Sequence, residues 1–175
     1  MRKAIVVVDM QNDFIDGVLG TAEAQEMLPR VTAKLTAARA EGTAIIFTMD
    51  THGADYLTTQ EGQKLPVPHC IRGTAGWEIA PALQPFVRAA AAVIEKPAFG
   101  ATALPDALKD YDAIELVGLC TDICVISNAL LLKAFYPEKS ISVDASCCAG
   151  VTPESHANAL AAMRMCQVGI VDTDV

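Results

Sequence analysis

The stretch Ala113–Leu130, with the sequence AIELVGLCTDICVISNAL, joins an apolar run to a segment that predicts a helix. Its first part, Ala113–Val117, is nearly continuous in apolar residues, which is typical of a strand covered on both faces in a parallel sheet. The helix is predicted over Asp122–Phe135, and Cys120 and Cys124 lie close to its start. A buried strand followed directly by a helix is the repeating unit of α/β folds.

The same alternation extends over the rest of the chain. Five more apolar runs predict strands: Ala4–Val8, Ala44–Met49, Ala91–Glu95, Ser140–Asp144 and Val168–Asp172. Three more segments predict helices: Ala24–Ala40, Ala101–Lys109 and Pro153–Cys166. Strands that alternate with helices predict a doubly wound, three-layer α/β fold, and the length of 175 residues fits a single domain over 1–175.

The charge of the chain argues against two classes of partner. The formal net charge is −8, and no cluster of Lys and Arg exceeds two adjacent residues. We therefore expect no binding to nucleic acid or to an anionic membrane surface. No apolar run reaches the length of a membrane span, and the run that begins after Lys3 stops at Asp9, which is too short for a signal peptide. We expect a cytoplasmic protein whose six cysteines are reduced thiols.

Reactive side chains follow four of the predicted strands. They are Asp9 after the first strand, Asp50 and His52 after the second, Lys96 after the third and Cys124 after the fourth. Ligands of open parallel sheets bind beyond the carboxyl ends of the strands. We therefore expect these side chains to converge on one rim of the sheet.

Cys124 is a candidate nucleophile, with a buried packing role as the alternative. A thiolate is the reactive form of cysteine, and both the helix N-terminus and the Lys96 ammonium would lower the pKa of the Cys124 thiol. Asp9 could pass a proton between this thiol and a leaving group, or could simply cap a loop. Lys96 could hold the Asp9 carboxylate in its charged form, or could be a solvated lysine at a strand end.

The other cysteines predict packing rather than chemistry. Cys120 and Cys124 are spaced as C-x3-C, which differs from the C-x2-C of thioredoxin-like and zinc-ribbon sites. Packing is therefore the expected role of the Cys120 side chain, and only its backbone N–H is a candidate for function. The remaining four are interpreted as structural: Cys70, Cys147, Cys148 and Cys166.

The long polar segment 50–76 carries candidate metal ligands. Asp50, His52 and His69 would form a partial shell for zinc, iron or manganese with positions left for water or substrate, and Glu61 could complete it. The alternative is a set of polar loop residues with no common target. A connection of this length in a compact domain is usually functional or disordered.

Five motifs occur in the order of a known family. They are VVVDMQNDF, MDTH, PHCIRGTAGWEI, EKPAFGAT and GLCTDICV. Over nearly its whole length the chain resembles the isochorismatase-like cysteine hydrolases, and most closely their nicotinamidase branch. The resemblance implies a Rossmann-like fold with a six-stranded parallel sheet, and a catalytic triad of Asp9, Lys96 and Cys124.

The resemblance also implies a reaction. Cys124 would attack an amide carbonyl, ammonia would leave, and water would hydrolyse the thioester. The peptide bond before Cys120 would be cis, and the backbone N–H groups of Cys120 and Cys124 would form an oxyanion hole. Nicotinamide would be converted to nicotinic acid, and members of the family assemble as dimers or larger homo-oligomers.

The resemblance further implies a metal at Asp50, His52 and His69 that holds the pyridine nitrogen, with Glu61 close to the place where some members have a fourth ligand. Zinc is the expected ion, with iron and manganese as alternatives. The sequence departs from the pattern at Pro66, where nicotinamidases commonly carry an aromatic residue. Phe14 remains as a ring contact.

Three functions therefore stay open on the sequence. The first is hydrolysis of nicotinamide by the triad. The second keeps the triad but takes another small amide or a carbamoyl compound, which the proline at position 66 motivates. The third is a non-catalytic thiol or metal sensor, which the number of cysteines motivates and which would leave Asp9 and Lys96 without a role.

Overall fold

A computed structural model describes residues 1–172 of the chain. Its centre is a six-stranded sheet in which every neighbouring pair is parallel, in the order β3-β2-β1-β4-β5-β6. The strands are β1 Lys3–Val8, β2 Ala44–Asp50, β3 Ala92–Lys96, β4 Ala113–Leu119, β5 Ser140–Ala149 and β6 Gly169–Val171. All six predicted strands are present, and the six-stranded parallel sheet is confirmed.

Helices cover both faces of the sheet. They are α1 Asn12–Ile15, α2 Ala22–Ala40, α3 Gln60–Lys64, α4 Gln84–Val87, α5 Leu104–Ala107, α6 Ile126–Phe135 and α7 Pro153–Met165. The long α2 packs on one face, where Val31 and Leu35 belong to the same apolar core as Val7 of β1. The last three helices pack on the other face. The α/β fold with three layers is therefore confirmed.

The apolar strands are buried on both faces, as their composition predicts. Within β1 the three valines are fully buried, with Val7 in the core under α2 and Val6 and Val8 in the core on the opposite face. The adjacent Cys147 and Cys148 lie in β5 and divide between the two cores in the same way. Their packing role follows from the alternation of side chains along a strand.

Several predicted bounds differ from the observed ones. β5 continues to Ala149 rather than Asp144, with a register shift against β4 between Leu116 and Gly118. The helix predicted over Ala101–Lys109 is confined to α5, where Pro105 occupies one of the first two positions. The helix predicted from Asp122 begins with a wide turn over Thr121–Val125 before α6. The segment 50–76 contains a short 3-10 turn and α3.

The strand order places a switch point between β1 and β4. The chain continues from β1 to β2 and β3 on one side, and from β4 to β5 and β6 on the other. Gly118 sits opposite Val8 with a φ of +119°, and a Cβ atom there would lie 2.1 Å from the Val8 carbonyl oxygen. Only glycine permits this approach of the two strand ends. Ligands of open α/β sheets bind at such a point.

A buried ion pair links α2 to the sheet away from that rim. Lys34 Nζ lies 2.9 Å from the Glu115 carboxylate and 2.5 Å from that of Asp144, which is fully buried. Removing the cation of a buried pair takes away the opposite charge that offsets the burial of its partner.

We expect Lys34→Met to lower the free energy of unfolding by about 3 kcal/mol, because methionine keeps the apolar stem but removes the ammonium from Asp144. Urea unfolding followed by circular dichroism measures this change. Lys109→Met is the control, since Lys109 forms its ion pair with Asp106 at the exposed surface and such pairs contribute little. Equal stability of the two variants would contradict the prediction.

Among residues 1–172, no helix combines the length and the apolar character needed to cross a membrane.

Candidate active site

Asp9 leaves β1 at the switch point and is completely buried. Its φ of +48° places it in the left-handed region, which aspartate tolerates better than most residues. The Thr48 hydroxyl of β2 donates a hydrogen bond of 2.6 Å to Asp9 Oδ1. Asp9 Oδ2 lies 2.7 Å from Lys96 Nζ. The carboxylate is thus held by side chains of β2 and β3, which lie on the same side of β1.

Lys96 connects the predicted site residues. Its ammonium, 1% exposed, lies 3.3 Å from Cys124 Sγ, 3.2 Å from Asp50 Oδ1 and 3.0 Å from the Ala98 carbonyl oxygen, besides the ion pair with Asp9. The structure therefore brings Asp9, Lys96 and Cys124 together, as the positions after β1, β3 and β4 predict. A lysine with these contacts is not a solvated residue at a strand end.

Cys124 sits in the wide turn that follows β4. The peptide bond between Leu119 and Cys120 is cis, as the resemblance implied. Asn128, one helical turn further on, donates a hydrogen bond of 2.8 Å to the Cys124 carbonyl oxygen, and its own side-chain oxygen accepts from the Ala101 N–H at 2.8 Å. Asn128 thereby ties the turn that carries the thiol to the loop after β3.

The electrostatics of this cluster differ from the prediction for Cys124. Burial raises the pKa of its thiol, the charge and hydrogen bond of Asp9 raise it further, and the opposing effect of Lys96 does not compensate. Burial also raises the pKa of Asp9 despite the Lys96 ammonium, and the charge of Asp50 adds to the increase. Burial works to lower the pKa of Lys96, but the charges of Asp9, Cys124 and Asp50 raise it instead. These shifts favour an ammonium at Lys96 and a protonated thiol at Cys124 in the resting site.

The four predicted metal ligands meet on the other side of Lys96. One ligand atom from each of Asp50, His52, Glu61 and His69 can be chosen so that all lie within 4.8 Å of one another. His52 Nε2 lies 3.0 Å and His69 Nε2 3.5 Å from Asp50 Oδ2, and both nitrogens lie 3.7 Å from Glu61 Oε1. Two imidazoles and two carboxylates fit a divalent transition metal.

Two contacts orient these ligands. His69 Nδ1 lies 2.8 Å from the Val67 carbonyl oxygen, so donation by Nδ1 leaves the Nε2 lone pair directed at the cluster. Gln11, completely buried, accepts a hydrogen bond of 2.7 Å from the Asp50 backbone N–H and donates one of 2.8 Å to the Asp50 carbonyl oxygen. Val67 thus orients the His69 ring, and Gln11 fixes the backbone that carries Asp50.

Glu61 is presented by the first turn of α3. Thr59 caps this helix by accepting a hydrogen bond from the Gly62 N–H at 3.0 Å, and its hydroxyl donates to the Tyr56 carbonyl oxygen at 2.7 Å. A Cβ atom at Gly62 would lie 2.0 Å from that same carbonyl oxygen. The fourth candidate ligand thus depends on a close contact between α3 and the preceding turn.

A cavity of about 660 Å³ opens beside both clusters. Cys124 lines it together with all four candidate ligands, and Cys120 contributes to the same wall. Phe14, predicted as a ring contact, also lines the cavity and packs edge to face on His69 with ring centroids 5.5 Å apart. Leu65 lines the cavity next to the position where an aromatic residue was expected.

The sequence of residues 3–175 matches the isochorismatase domain family. The chain belongs to this family. The recognition from five short motifs is therefore confirmed over almost the full length.

Known isochorismatase-family proteins resemble the chain along its whole length. The nicotinamidase/pyrazinamidase of Mycobacterium tuberculosis is 28% identical over 186 residues, which cover 97% of this chain and 98% of the relative. The structure of a pyrazinamidase/nicotinamidase from Streptococcus mutans superimposes with a TM-score of 0.86 at 27% identity, covering 97% and 99% of the two chains. An N-carbamoylsarcosine amidase from Thermoplasma acidophilum gives a TM-score of 0.79 at 26% identity, covering 100% and 98%.

The sequence reasoning missed three polar residues that support the site of this isochorismatase domain: Gln11, Thr48 and Asn128. Two of them carried a usable signal. Thr48 lies two residues before Asp50 in β2 and so shares its face of the strand, and Asn128 lies one helical turn after Cys124. Gln11 follows Asp9 by two positions, but the contact of its side chain with β2 depends on tertiary structure.

Proposed function

We propose that this isochorismatase domain is a cysteine-dependent amidohydrolase that converts nicotinamide to nicotinic acid and ammonia through a thioester at Cys124. One observation carries the proposal: the buried Lys96 ammonium contacts both the Asp9 carboxylate and the Cys124 sulfur at the wall of a cavity. A nucleophile, a base and an orienting cation are the groups that covalent catalysis requires. The 28% identity to a nicotinamidase/pyrazinamidase supports the choice of substrate.

In the first half of the reaction, Asp9 serves as the base. The raised pKa of the Cys124 thiol keeps the proton on sulfur at rest, so attack on a carbonyl carbon requires an acceptor for that proton. The Asp9 carboxylate accepts it as the carbon–sulfur bond forms. Asp9 then donates the proton to the amide nitrogen, the carbon–nitrogen bond breaks, and ammonia leaves. The Lys96 ammonium stabilises negative charge on sulfur.

In the second half Asp9 again acts first as a base, now toward water. Asp9 accepts a proton from water as the oxygen attacks the thioester carbon, and the carbon–sulfur bond then breaks to release the carboxylic acid and return the proton to sulfur. We propose that the backbone N–H groups of Cys120 and Cys124 stabilise the oxyanion in both steps. Support comes from the position of both residues in the cavity wall.

We propose that Asp50, His52, His69 and Glu61 hold a divalent metal ion, with zinc as the expected ion and iron or manganese as alternatives. The donor set of two imidazoles and two carboxylates and the orientation of His69 by Val67 support this assignment. A bound metal would supply a Lewis acid that fixes the pyridine nitrogen of the substrate.

We expect Gly62→Ala to lower the affinity for zinc by about 10- to 100-fold, because the added methyl group would push α3 away from the Tyr56 carbonyl and Glu61 with it. Competition with a chromophoric chelator measures the affinity of the purified protein. Gly100→Ala is a matched control, since a Cβ atom at Gly100 would meet Leu131 at an ordinary 3.8 Å. An unchanged zinc affinity in Gly62→Ala would remove Glu61 from the proposed ligand set.

Release of ammonia and nicotinic acid from nicotinamide by the purified, zinc-loaded protein tests the proposed substrate. A ureido acid such as N-carbamoylsarcosine is the second candidate, supported by the 26% identity to an N-carbamoylsarcosine amidase and by Leu65 and Pro66 in place of an aromatic wall. Turnover of the ureido acid with a higher kcat/KM than nicotinamide would reject nicotinamide as the main substrate.

The geometry favours the hydrolase over the thiol-sensor hypothesis. Redox-sensing cysteines are exposed and have low pKa values, whereas Cys124 is buried and the pKa of its thiol is raised. Assembly as a homo-oligomer and a cytoplasmic location stay predictions. The exposed Phe135 at the end of α6 supports the first, because an oligomer contact would cover it.

A further inference from the structure

The cavity is larger than the proposed substrate requires. Its volume of about 660 Å³ lies within the range of pockets that enclose drug-sized ligands. Nicotinamide is a single ring with one small substituent. A ligand of that size would fill only part of the space.

The two anchoring points lie close together in the wall of the cavity and define its reactive end. Cys124 Sγ and Asp50 Oδ1 contact the same Lys96 ammonium, at 3.3 Å and 3.2 Å. A pyridine ring that spans the sulfur and the metal ligands is therefore held at this end by both its amide carbon and its nitrogen.

Part of the remaining wall is apolar and reaches the surface. It includes Leu19, Phe99, Ile123 and Val151, whereas the polar members of the lining are Thr21, Thr59, Gln60 and Lys64. Phe99 is 45% exposed and Val151 53% exposed, so the mouth of the cavity presents apolar side chains to water. Apolar side chains at the mouth of a cavity offer a surface that an apolar group of a ligand can cover.

The chemistry of the ring defines where such a group is attached. In pyridine-3-carboxamide, ring position 5 points away from both the nitrogen and the carbon that carries the amide. Position 2 lies between them and would face the space between the metal ligands and the sulfur. Only a substituent on the far side of the ring can enter the apolar part of the cavity.

We propose that the protein hydrolyses pyridine-3-carboxamides that carry an apolar ring at position 5, and that Phe99, Ile123 and Val151 bind this second ring. The inference rests on the proposed amidase function and extends it to a class of larger heteroaromatic amides. The second ring adds binding through apolar burial and leaves the reacting groups unchanged.

The test compares kcat/KM for 5-phenylnicotinamide, 2-phenylnicotinamide and nicotinamide with the zinc-loaded protein. We expect KM for 5-phenylnicotinamide to be about tenfold lower than for nicotinamide, at similar kcat, and 2-phenylnicotinamide to react at least a hundredfold more slowly. A kcat/KM for the 5-phenyl compound below one tenth of the nicotinamide value would overturn the inference and leave the proposed function intact. Failure to hydrolyse any of the three compounds would reject both.

Val151→Trp tests the assignment of the wall. Because Val151 is half exposed, the larger side chain can be accommodated without disturbing the core, yet it would fill the apolar part of the cavity. We expect the ratio of kcat/KM for 5-phenylnicotinamide over nicotinamide to fall at least tenfold. A matched change at an exposed apolar residue outside the cavity, Met165→Trp, should leave the ratio unchanged.

Sedimentation of Val151→Trp and of a second variant, Phe99→Ser, separates ligand binding from subunit contact as the role of the apolar mouth. If Phe99→Ser and Val151→Trp change the molecular mass of the assembly while the ratio of kcat/KM stays at the wild-type value, the apolar side chains serve a second copy of the chain, and the inference is wrong. A lowered ratio at unchanged mass supports it.

Discussion

Cys124→Ala is expected to lower kcat/KM for nicotinamide by about 10⁴-fold or more, which is the size of effect seen when the nucleophile of a hydrolase is removed. Without the sulfur no thioester can form, and Asp9 has no thiol proton to accept. The measurement is ammonia release at saturating zinc, together with mass spectrometry of the acid-quenched protein, which should show the acyl adduct in the wild type and none in the variant.

The control for this substitution is Cys166→Ala. Cys166 is the exposed cysteine of the described chain and lies at the end of α7, away from the cavity. Its loss should leave turnover unchanged, which separates the chemistry of Cys124 from general effects of removing a thiol. Wild-type turnover in Cys124→Ala would refute covalent catalysis and with it the proposed mechanism.

Lys96→Met is expected to lower the free energy of unfolding by about 3–5 kcal/mol and to abolish turnover. The ammonium is buried between the Asp9 and Asp50 carboxylates, so its removal leaves two buried negative charges without their common cation. Methionine retains most of the apolar stem, so the change reports mainly on charge. Thermal and urea unfolding of the zinc-free protein measure the loss.

A double-mutant cycle with Asp9→Asn isolates the ion pair. Asp9→Asn removes one of the unpaired charges, so the double variant should be more stable than Lys96→Met alone.

The pH dependence of the free energy of unfolding gives a further check. Since the folded pKa of Lys96 is raised, the stabilisation is fully present below the ordinary lysine pKa of about 10.4 and is lost only as the pH rises through the folded value. The ammonium is therefore charged in the wild type from about pH 6 to pH 9, and its loss in Lys96→Met should destabilise the protein more as the pH rises, because the Asp9 carboxyl without its cation is protonated at the lower end of this range. Additive effects of the two substitutions would contradict the pairing.

Much of the fold and of the site could be predicted, because ligands of open parallel sheets bind beyond the carboxyl ends of the strands. Continuous apolar runs predicted the sheet, and the carboxyl ends of those runs identified Asp9, Lys96 and Cys124 although they are far apart in the chain. The electrostatic state of Cys124 could not be predicted in the same way. A lysine and a helix start indicated a lowered pKa, but burial and the charge of Asp9 dominate, and both depend on the depth of the site.

The limits of local patterns are clearest after β2. The segment 50–76 predicted ligands in a long loop, and the sequence could not show that Thr59 caps a helix of five residues that directs Glu61 inwards. Nor could the burial of Gln11 be read from its position. Such contacts join residues 39 positions apart, as between Gln11 and Asp50, and they follow only from the assembled sheet.

The charged groups and the thiol of the site come from four different strands of one sheet. No two of them belong to the same βα unit. A polypeptide cut between α5 and β4 would carry Asp9, Asp50 and Lys96 on one fragment and Cys124 on the other. Neither half could work alone, and mixing the halves would restore turnover only if β4 returned to its place beside β1. Enzyme activity therefore reports that the whole chain has folded. It should be lost in any partly folded state, even where circular dichroism still detects secondary structure.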